Sequence, residues 1–240
     1  MQTQEPRADW DAPPGPAPSP AGAVLVALWL AGPALLGGIV VWALLGPLPG
    51  VLIAALIGAA TWIRVRAAGP RLLRRLRATA LPDDAEPRAR NLVEGLARRT
   101  GMETPSLWLI PDERPNALVT RAGGPAVALT RGLLDGCSRT ELEAVVAHCL
   151  VRLRAGSGVR AATALDMSLT GARPLADLVV RPPSHGDDVR AAALTRYPPG
   201  VARAIEKAVP VGAGHGAMWF VPEGPSLPSV EERLRQLSDL

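Results

Sequence analysis

Histidine and cysteine are scarce in this chain, and two of them stand side by side at His148 and Cys149. Both are zinc-ligand types, and His185 or His215 could help to complete a site. Adjacent residues of a helix point about 100° apart, however, so His148 and Cys149 are poorly placed to bind one metal together. We therefore predict a structural role for His148, with metal ligation as the alternative.

Cys149 could instead be a nucleophile if a neighbouring base lowered its pKa. His148 is adjacent in sequence but angled away on a helix, and Cys149 falls on the apolar stripe of the helix predicted from Ser138. A buried and inert thiol is the prediction for this residue. The other cysteine is Cys137, and in a reducing compartment we expect both to be free thiols.

Charge is distributed unevenly along the chain. The 240 residues carry a formal net charge of +4, and 25 of the 26 cations are arginine. The 52 residues between Asp11 and Arg64 contain no charged side chain, which excludes a simple soluble enzyme. Because the cations follow this stretch closely, we attribute the pI of about 10.0 to a membrane surface and not to nucleic acid.

The apolar stretch predicts a transmembrane hairpin over residues 22–65. Two runs, at about 23–45 and 48–65, each approach the length of a bilayer span, and the sequence Gly46-Pro47-Leu48-Pro49-Gly50 separates them. One span followed by a re-entrant segment is the alternative. The proline-rich residues 1–21 should be disordered, and they are too long and too weakly basic to begin a cleavable signal peptide.

A basic juxtamembrane linker is predicted over residues 66–84, with no acid before Asp83. Its arginines and the one just before it are Arg64, Arg66, Arg71, Arg74, Arg75 and Arg77. By the positive-inside rule this flank is cytoplasmic, so residues 85–240 should work in the cytoplasm of a multi-pass cell-membrane protein. The preference for arginine over lysine indicates a GC-rich, bacterial genome.

Residues 85–240 are predicted to form a compact α+β domain. Helical spacing or capping signals mark helices at Glu86–Thr100, from Ser138, at Asp187–Thr195, at Pro199–Val209 and at Val230–Leu240. Short β-prone runs mark strands at Ser106–Ile110, Ala117–Thr120 and Pro125–Leu129. The helix from Ser138 begins with a capping-box pattern that ends at Glu141.

Three motifs follow one another in this domain: Pro115-Asn116-Ala117, the run VALTRGLL at 127–134, and the run ELEAVVAH at 141–148. In this order they closely resemble the HtpX-like and CAAX-prenyl-protease group of membrane zinc metallopeptidases, peptidase family forty-eight. The resemblance covers roughly residues 91–240 and implies a zincin-like fold. That family often has further membrane spans after the zinc helix, but Leu153–Pro183 is too short and too charged to hold one.

The zinc site implied by the resemblance is degenerate. In the HExxH motif two histidines bind zinc, and the glutamate between them polarises the attacking water. Here Cys149 stands at the glutamate position and Arg152 at the second ligand position, where an arginine cannot coordinate zinc. Ser184 stands where the family has its third ligand, a glutamate, and Asp188 matches the family aspartate. His148 is the only surviving ligand.

These replacements suggest that an ion pair replaces the metal. Arg152 faces the former site, and Asp188 opens the facing helix, so a pair between them could bridge the two helices. The alternative is that Arg152 points to solvent. We expect no cofactor, and zinc only if the chain is an enzyme.

The function expected from the sequence is that of a catalytically inactive peptidase homologue, acting as a scaffold, decoy or regulator at the cytoplasmic face. A predicted edge strand could hold an extended peptide by strand addition, through Ala126, Val127, Ala128 and Leu129. The alternative is an active zinc metalloendopeptidase of membrane-protein quality control, with ligands taken from His185, His215, Asp187 or Asp188. A third possibility is a structural protein of complex assembly. The expected partners are the lipid bilayer and a peptide or protein, without nucleic acid.

Overall fold

The computed structural model of the chain describes residues 20–155, 158–179, 185–211, 218–222 and 229–238. These residues form two compact units. The hairpin unit comprises residues 20–72 and 158–179, and the sheet unit comprises the remaining described residues. The protein is a helix-rich α+β protein with two apolar N-terminal helices, as the sequence predicts. Most of the predicted disordered N-terminus, Ser184 and His215 lie outside the described residues.

Two long apolar helices make up most of the hairpin unit, α1 (Pro20–Leu45) and α2 (Pro47–Arg66). Both are long and apolar enough to cross a membrane, and most of their residues are not buried within the protein. Gly46 joins them with a φ of 96°, a left-handed conformation that glycine adopts without steric cost. The two helices approach closely at Gly38, where a Cβ would come within 2.7 Å of Ala54 Cβ.

The hairpin unit also contains two short helices between Leu153 and Pro183, where we predicted only that no span would fit. They are α7 (Gly158–Leu169) and α8 (Arg173–Val179). Their buried side chains pack with Leu25, Val26 and Trp29 of α1. Both helices are shorter than a bilayer span, and the apolar residues of this charged stretch pack on α1.

The sheet unit is built on a four-stranded sheet with the order β1-β2-β4-β3. The strands are β1 (Thr79–Ala80), β2 (Ser106–Ile110), β3 (Ala117–Arg121) and β4 (Pro125–Thr130). β2 pairs with β4 in parallel, and the other neighbours are antiparallel. The three strands predicted from the sequence are thus present, each within one residue of its predicted bounds.

The prediction of a peptide-binding edge at Ala126, Val127, Ala128 and Leu129 is wrong. β4 lies between two strands, because Val127 is in register with Leu107 of β2 and with Val119 of β3. Its backbone groups are engaged on both sides, so it cannot accept an added strand. β4 is the last strand in the sequence, but it does not lie at the edge of the sheet, because it pairs in parallel with the distant β2.

The helices of the sheet unit pack around one central helix, α6 (Arg139–Ala155). Its main contacts are with β3 and with the helices α4 (Pro87–Thr100), α9 (His185–Thr195) and α10 (Pro198–Lys207). The other helices of this unit are α5 (Arg131–Gly136) and α11 (Val230–Ser238). Nearly every residue of α6 from Leu142 to Leu153 is buried. The main apolar core of the protein therefore surrounds the helix that carries His148 and Cys149.

The predicted capping box fixes the start of α6. The backbone N–H of Ser138 donates to Glu141 Oε2 over 2.7 Å, and the N–H of Glu141 faces Ser138 Oγ at 3.4 Å. Lys207 Nζ of α10 also donates to Glu141 Oε2 over 2.7 Å. Burial would raise the pKa of Glu141, but these bonds outweigh it and lower that pKa. The anchored helix start sets the register of the residues that follow.

Candidate functional site

His148 lies fully inside the sheet unit, with 1% of its surface exposed. Its Nδ1 is 3.0 Å from Asp188 Oδ1 of α9, although the two groups are not aligned as a good hydrogen bond. The ring of Phe220 meets the imidazole edge-on, with ring centres 4.9 Å apart. Burial lowers the pKa of His148, and the neighbouring Asp188 only partly opposes this, so the imidazole is neutral at physiological pH.

Asp188 is held by a buried arginine from the C-terminal helix. Arg233 of α11 donates from Nε to Asp188 Oδ2 over 2.8 Å and from Nη2 to Oδ1 over 2.7 Å. Burial alone would raise the pKa of Asp188, but the bonds from Arg233 and the contact with His148 outweigh it, so the pKa lies well below its ordinary value. The carboxylate is therefore ionised and joins α6, α9 and α11.

Arg233 also fixes the short segment of residues 218–222. Its Nη1 donates to the backbone oxygen of Phe220 over 2.8 Å, and its guanidinium lies 5.2 Å from the centre of the Phe220 ring. Arg233 is 1% exposed, so three hydrogen bonds satisfy a cation that water does not reach. The guanidinium thus connects the Asp188 carboxylate with the residue that covers His148.

Arg152 has a different partner from the one we predicted. Its Nη1 lies 3.8 Å from Asp187 Oδ2, whereas the carboxylate of Asp188 is bound by Arg233 and contacts His148. Asp187 is fully buried, and the Arg152 side chain is 9% exposed. The ion pair between α6 and α9 is therefore displaced by one residue along α9, and the prediction of Asp188 as the partner of Arg152 is corrected.

Asn116 organises the entrance to β3 through its side-chain amide. Nδ2 donates to the backbone oxygens of Val209 and Val221, over 2.9 and 2.8 Å. Oδ1 accepts the backbone N–H groups of Ala117 and Val221, over 2.8 and 3.2 Å. Because one buried side chain satisfies four backbone groups from three segments, Asn116 fixes residues 218–222 against the start of β3.

The outer edge of β3 is partly occupied by the chain itself. Trp219 forms an antiparallel bridge with Leu118, and the N–H of Phe220 donates to the oxygen of Ala117 over 2.8 Å. Both aromatic side chains are 2% exposed. A peptide that added to this part of β3 would therefore have to displace Trp219 and Phe220, and with them the ring against His148.

Curated relatives match parts of this chain, and those described here are each named Protease HtpX homolog. The relative from Aquifex aeolicus is 40% identical over 79 residues, which are 32% of this chain and 26% of the relative. The relative from Dictyoglomus turgidum is 31% identical over 158 residues, 49% of this chain and 52% of its own. A Listeria monocytogenes relative is 35% identical over 121 residues, 49% and 39% respectively. The matched part of this chain is similar to these proteins.

The chain spans between about a quarter and a half of the length of these relatives. No protein-family model matches it. With the two helices suited to crossing a bilayer, the relationship indicates a membrane protein. These findings agree with the resemblance carried by the three motifs.

Among the described residues, the donor set around His148 does not fit a zinc site. His148 offers one candidate ligand atom, because its Nε2 is buried and has no hydrogen-bond partner among the described residues. Cys149 occupies the position of the motif's glutamate, and Arg152 that of its second histidine. Ser184 and His215 lie outside the described residues. His185 begins α9. Within the described part of the chain, no group of three His, Cys, Asp or Glu side chains could hold a metal ion.

Three residues that shape the surroundings of His148 were not singled out from the sequence: Arg233, Asn116 as a hydrogen-bonding hub, and Phe220. A signal was available for Arg233, because it lies on the buried face of α11 with Leu237, four residues on. A cation on an apolar face predicts a buried acidic partner. Phe220 had no such signal, since its contact with His148 depends on the path of residues 218–222.

We expect both thiols of the chain to be unreactive in the native state. Cys149 is 1% exposed, and burial raises its pKa to about 12. Burial also raises the pKa of Cys137. The thiolate is the reacting form, so Ellman's reagent at about pH 8 should find almost no thiol before unfolding and both afterwards. A native thiol that reacts rapidly, and is lost in Cys149→Ala but kept in Cys137→Ala, would contradict this expectation.

Proposed function

We propose that this chain is a membrane-anchored, HtpX-like peptidase homologue that lacks the peptidase reaction and serves as a scaffold or regulator. The proposal places the sheet unit at the cytoplasmic face of a bacterial cell membrane. Arg64, Arg66 and Arg71 close to the end of α2 support that orientation through the positive-inside rule. The order of the motifs and their packing around α6 support a zincin-like fold for the sheet unit.

The environment of Cys149 and Arg152 carries the proposal of inactivity. Cys149 stands at the position of the family's general base, which needs a pKa near the operating pH. Its thiol has a pKa of about 12. At the second position the Arg152 guanidinium lies 3.8 Å from a buried carboxylate, where the ion pair takes the place of a ligand. Neither group can take over the role that the family assigns to its position.

Side chains now connect the helices that zinc would connect in an active relative. Arg233, Asp188 and His148 join α11, α9 and α6, and the pair of Arg152 with Asp187 adds a second connection between α6 and α9. A scaffold role needs a stable fold without catalysis, and this network supports one. The partner surface of the scaffold is not β4, because that strand has no free edge.

The second candidate function is a zinc endopeptidase with non-standard ligands. One observation favours it: His148 Nε2 is buried without a hydrogen-bond partner among the described residues, as a ligand atom lacking its metal would be. Asp187 on α9 is a buried carboxylate that could supply a further donor. Against this reading, the Asp187 carboxylate lies 3.8 Å from the Arg152 guanidinium.

The deciding experiment is the zinc content of the purified full-length chain in detergent, measured by elemental mass spectrometry beside His148→Ala. We expect no zinc that depends on His148. We also expect no cleavage of casein in an assay that includes the Aquifex aeolicus relative, prepared identically, as the comparison protein. About one zinc per chain that is lost in His148→Ala, together with casein cleavage, would overturn the proposal and favour the second candidate. Zinc without cleavage would overturn the ligand argument alone.

A further inference from the structure

Asp166 of α7 is a fully buried carboxylate inside the hairpin unit. It accepts a hydrogen bond from the indole Nε1 of Trp29 on α1 over 2.9 Å. It accepts another over 2.7 Å from Arg71 Nη2 of the short helix α3 (Ala68–Arg75). Arg64 Nη2, close to the end of α2, lies 3.1 Å away. One acid therefore ties α7 to three other helices of this unit, and we call these four residues the Asp166 cluster.

The lengths of α1 and α2 indicate the depth that the Asp166 cluster would have in a bilayer. Trp29 precedes the turn at Gly46 by 17 residues, and Arg64 follows it by 18 residues. At about 1.5 Å per helical residue this corresponds to about 26 Å, close to the thickness of a bilayer core of about 30 Å. If the turn reaches the far surface, the cluster sits in the near headgroup layer, where tryptophan and arginine are favoured.

The Asp166 cluster carries excess positive charge. Two guanidiniums share one carboxylate, and their side chains remain 36% exposed for Arg64 and 27% exposed for Arg71. Arg66 adds a third cation, placed 4.8 Å from the centre of the Trp62 ring. An anion from outside the protein would balance this charge, and at this depth the phosphate of a lipid headgroup is the available anion.

α8 has three distinct faces. Residues on a helix are separated by about 100°, so Ala176 and Val179 share one face, which packs with residues of α1. Leu175 and Leu178 share a second face and are 38% and 61% exposed. The third face carries Arg173 and Asp177, both exposed.

We propose that α8 lies in the headgroup layer of an anionic leaflet, with Leu175 and Leu178 inserted into lipid and Asp177 turned to water. α8 packs on α1, where Val24 and Leu28 are exposed apolar residues as well. The Asp166 cluster holds α7, and hence α8, at this level and binds anionic headgroups through its arginines. This contact goes beyond the proposed function and is independent of whether the chain binds zinc.

The test is a depth measurement on the full-length chain in phospholipid vesicles. A polarity-sensitive fluorophore is attached at Leu178→Cys or, as the matched control on the same helix, at Asp177→Cys, with Cys137 and Cys149 replaced by alanine. Nitroxide groups carried by lipids just below the headgroup then quench the fluorophore. We expect quenching at position 178 to exceed that at 177 by about twofold or more, as for an interfacial amphipathic helix.

Two further comparisons separate the parts of the proposal. Asp166→Ala should reduce quenching at position 178, because the bonds that hold α7 are lost. Adding about 30% phosphatidylglycerol to phosphatidylcholine vesicles should increase the quenching, through the arginines of the cluster. Equal quenching at positions 177 and 178, or no quenching at either, would overturn the lipid contact, whatever the result with Asp166→Ala. A response to neither Asp166→Ala nor phosphatidylglycerol would overturn the role of the cluster.

Discussion

Replacing Arg233 with methionine is expected to lower the free energy of unfolding by about 3–5 kcal/mol, the range measured when one partner of a buried ion pair is removed. The substitution keeps much of the side-chain volume but leaves the Asp188 carboxylate buried beside a neutral His148. It also removes the donor to the Phe220 oxygen. Denaturant unfolding of the full-length chain in detergent, followed by tryptophan fluorescence, measures the effect.

Arg235→Met is the matched control for this prediction. Arg235 lies on the same helix, two residues further on, and is exposed, so its replacement should change the unfolding free energy by less than about 0.5 kcal/mol. The double variant Arg233→Met with Asp188→Leu should recover part of the loss, since no buried charge is then left alone. If Arg233→Met is no more destabilising than Arg235→Met, the buried pair does not support the fold.

Asn116→Ala should be the second most damaging change, because it removes four hydrogen bonds to the backbone at once. Each buried group left unsatisfied costs about 1–3 kcal/mol, although water will reach some of them, so we expect a loss of at least about 3 kcal/mol. The loss should also be local. Hydrogen exchange of the amides of Trp219, Phe220 and Val221 should accelerate before the amides of α6 do.

The chain contains one other asparagine, Asn91, which provides the control. It lies exposed on α4, and Asn91→Ala should leave both the unfolding free energy and the exchange of residues 219–221 unchanged. Uniform acceleration across the sheet unit in Asn116→Ala would mean that the amide supports the whole core and does not specifically hold the 218–222 segment.

Local signals in the sequence predicted the elements but not their neighbours. The capping box at Ser138 and the apolar stripe after it locate α6, because both act within a few residues of the chain. The central position of β4 depends on its pairing with β2, about 20 residues earlier, and no pattern within either strand encodes that pairing. The edge strand β3 and the central strand β4 both have largely apolar sequences, so composition does not show which of them has a free edge.

The choice between Asp187 and Asp188 as the partner of Arg152 shows where such predictions end. The two acids are adjacent on α9 and point about 100° apart, so the rotation of that helix decides which one faces Arg152. That rotation depends partly on Arg233, a residue 45 positions beyond Asp188. Asp166 is similar, since its donor Trp29 is 137 positions away. Residues whose roles depend on such distant partners cannot be assigned from spacing.

The cross-link made by Arg233, Asp188 and His148 has a physiological consequence. A metallopeptidase domain whose helices are joined through zinc becomes less stable when the ion is withheld, because metal binding and folding are coupled. Here the bonds from Arg233 to Asp188 are encoded in the chain and need nothing from the medium. If the chain needs no zinc, as we propose, its abundance should not follow the zinc supply of the cell, and it should persist under metal starvation.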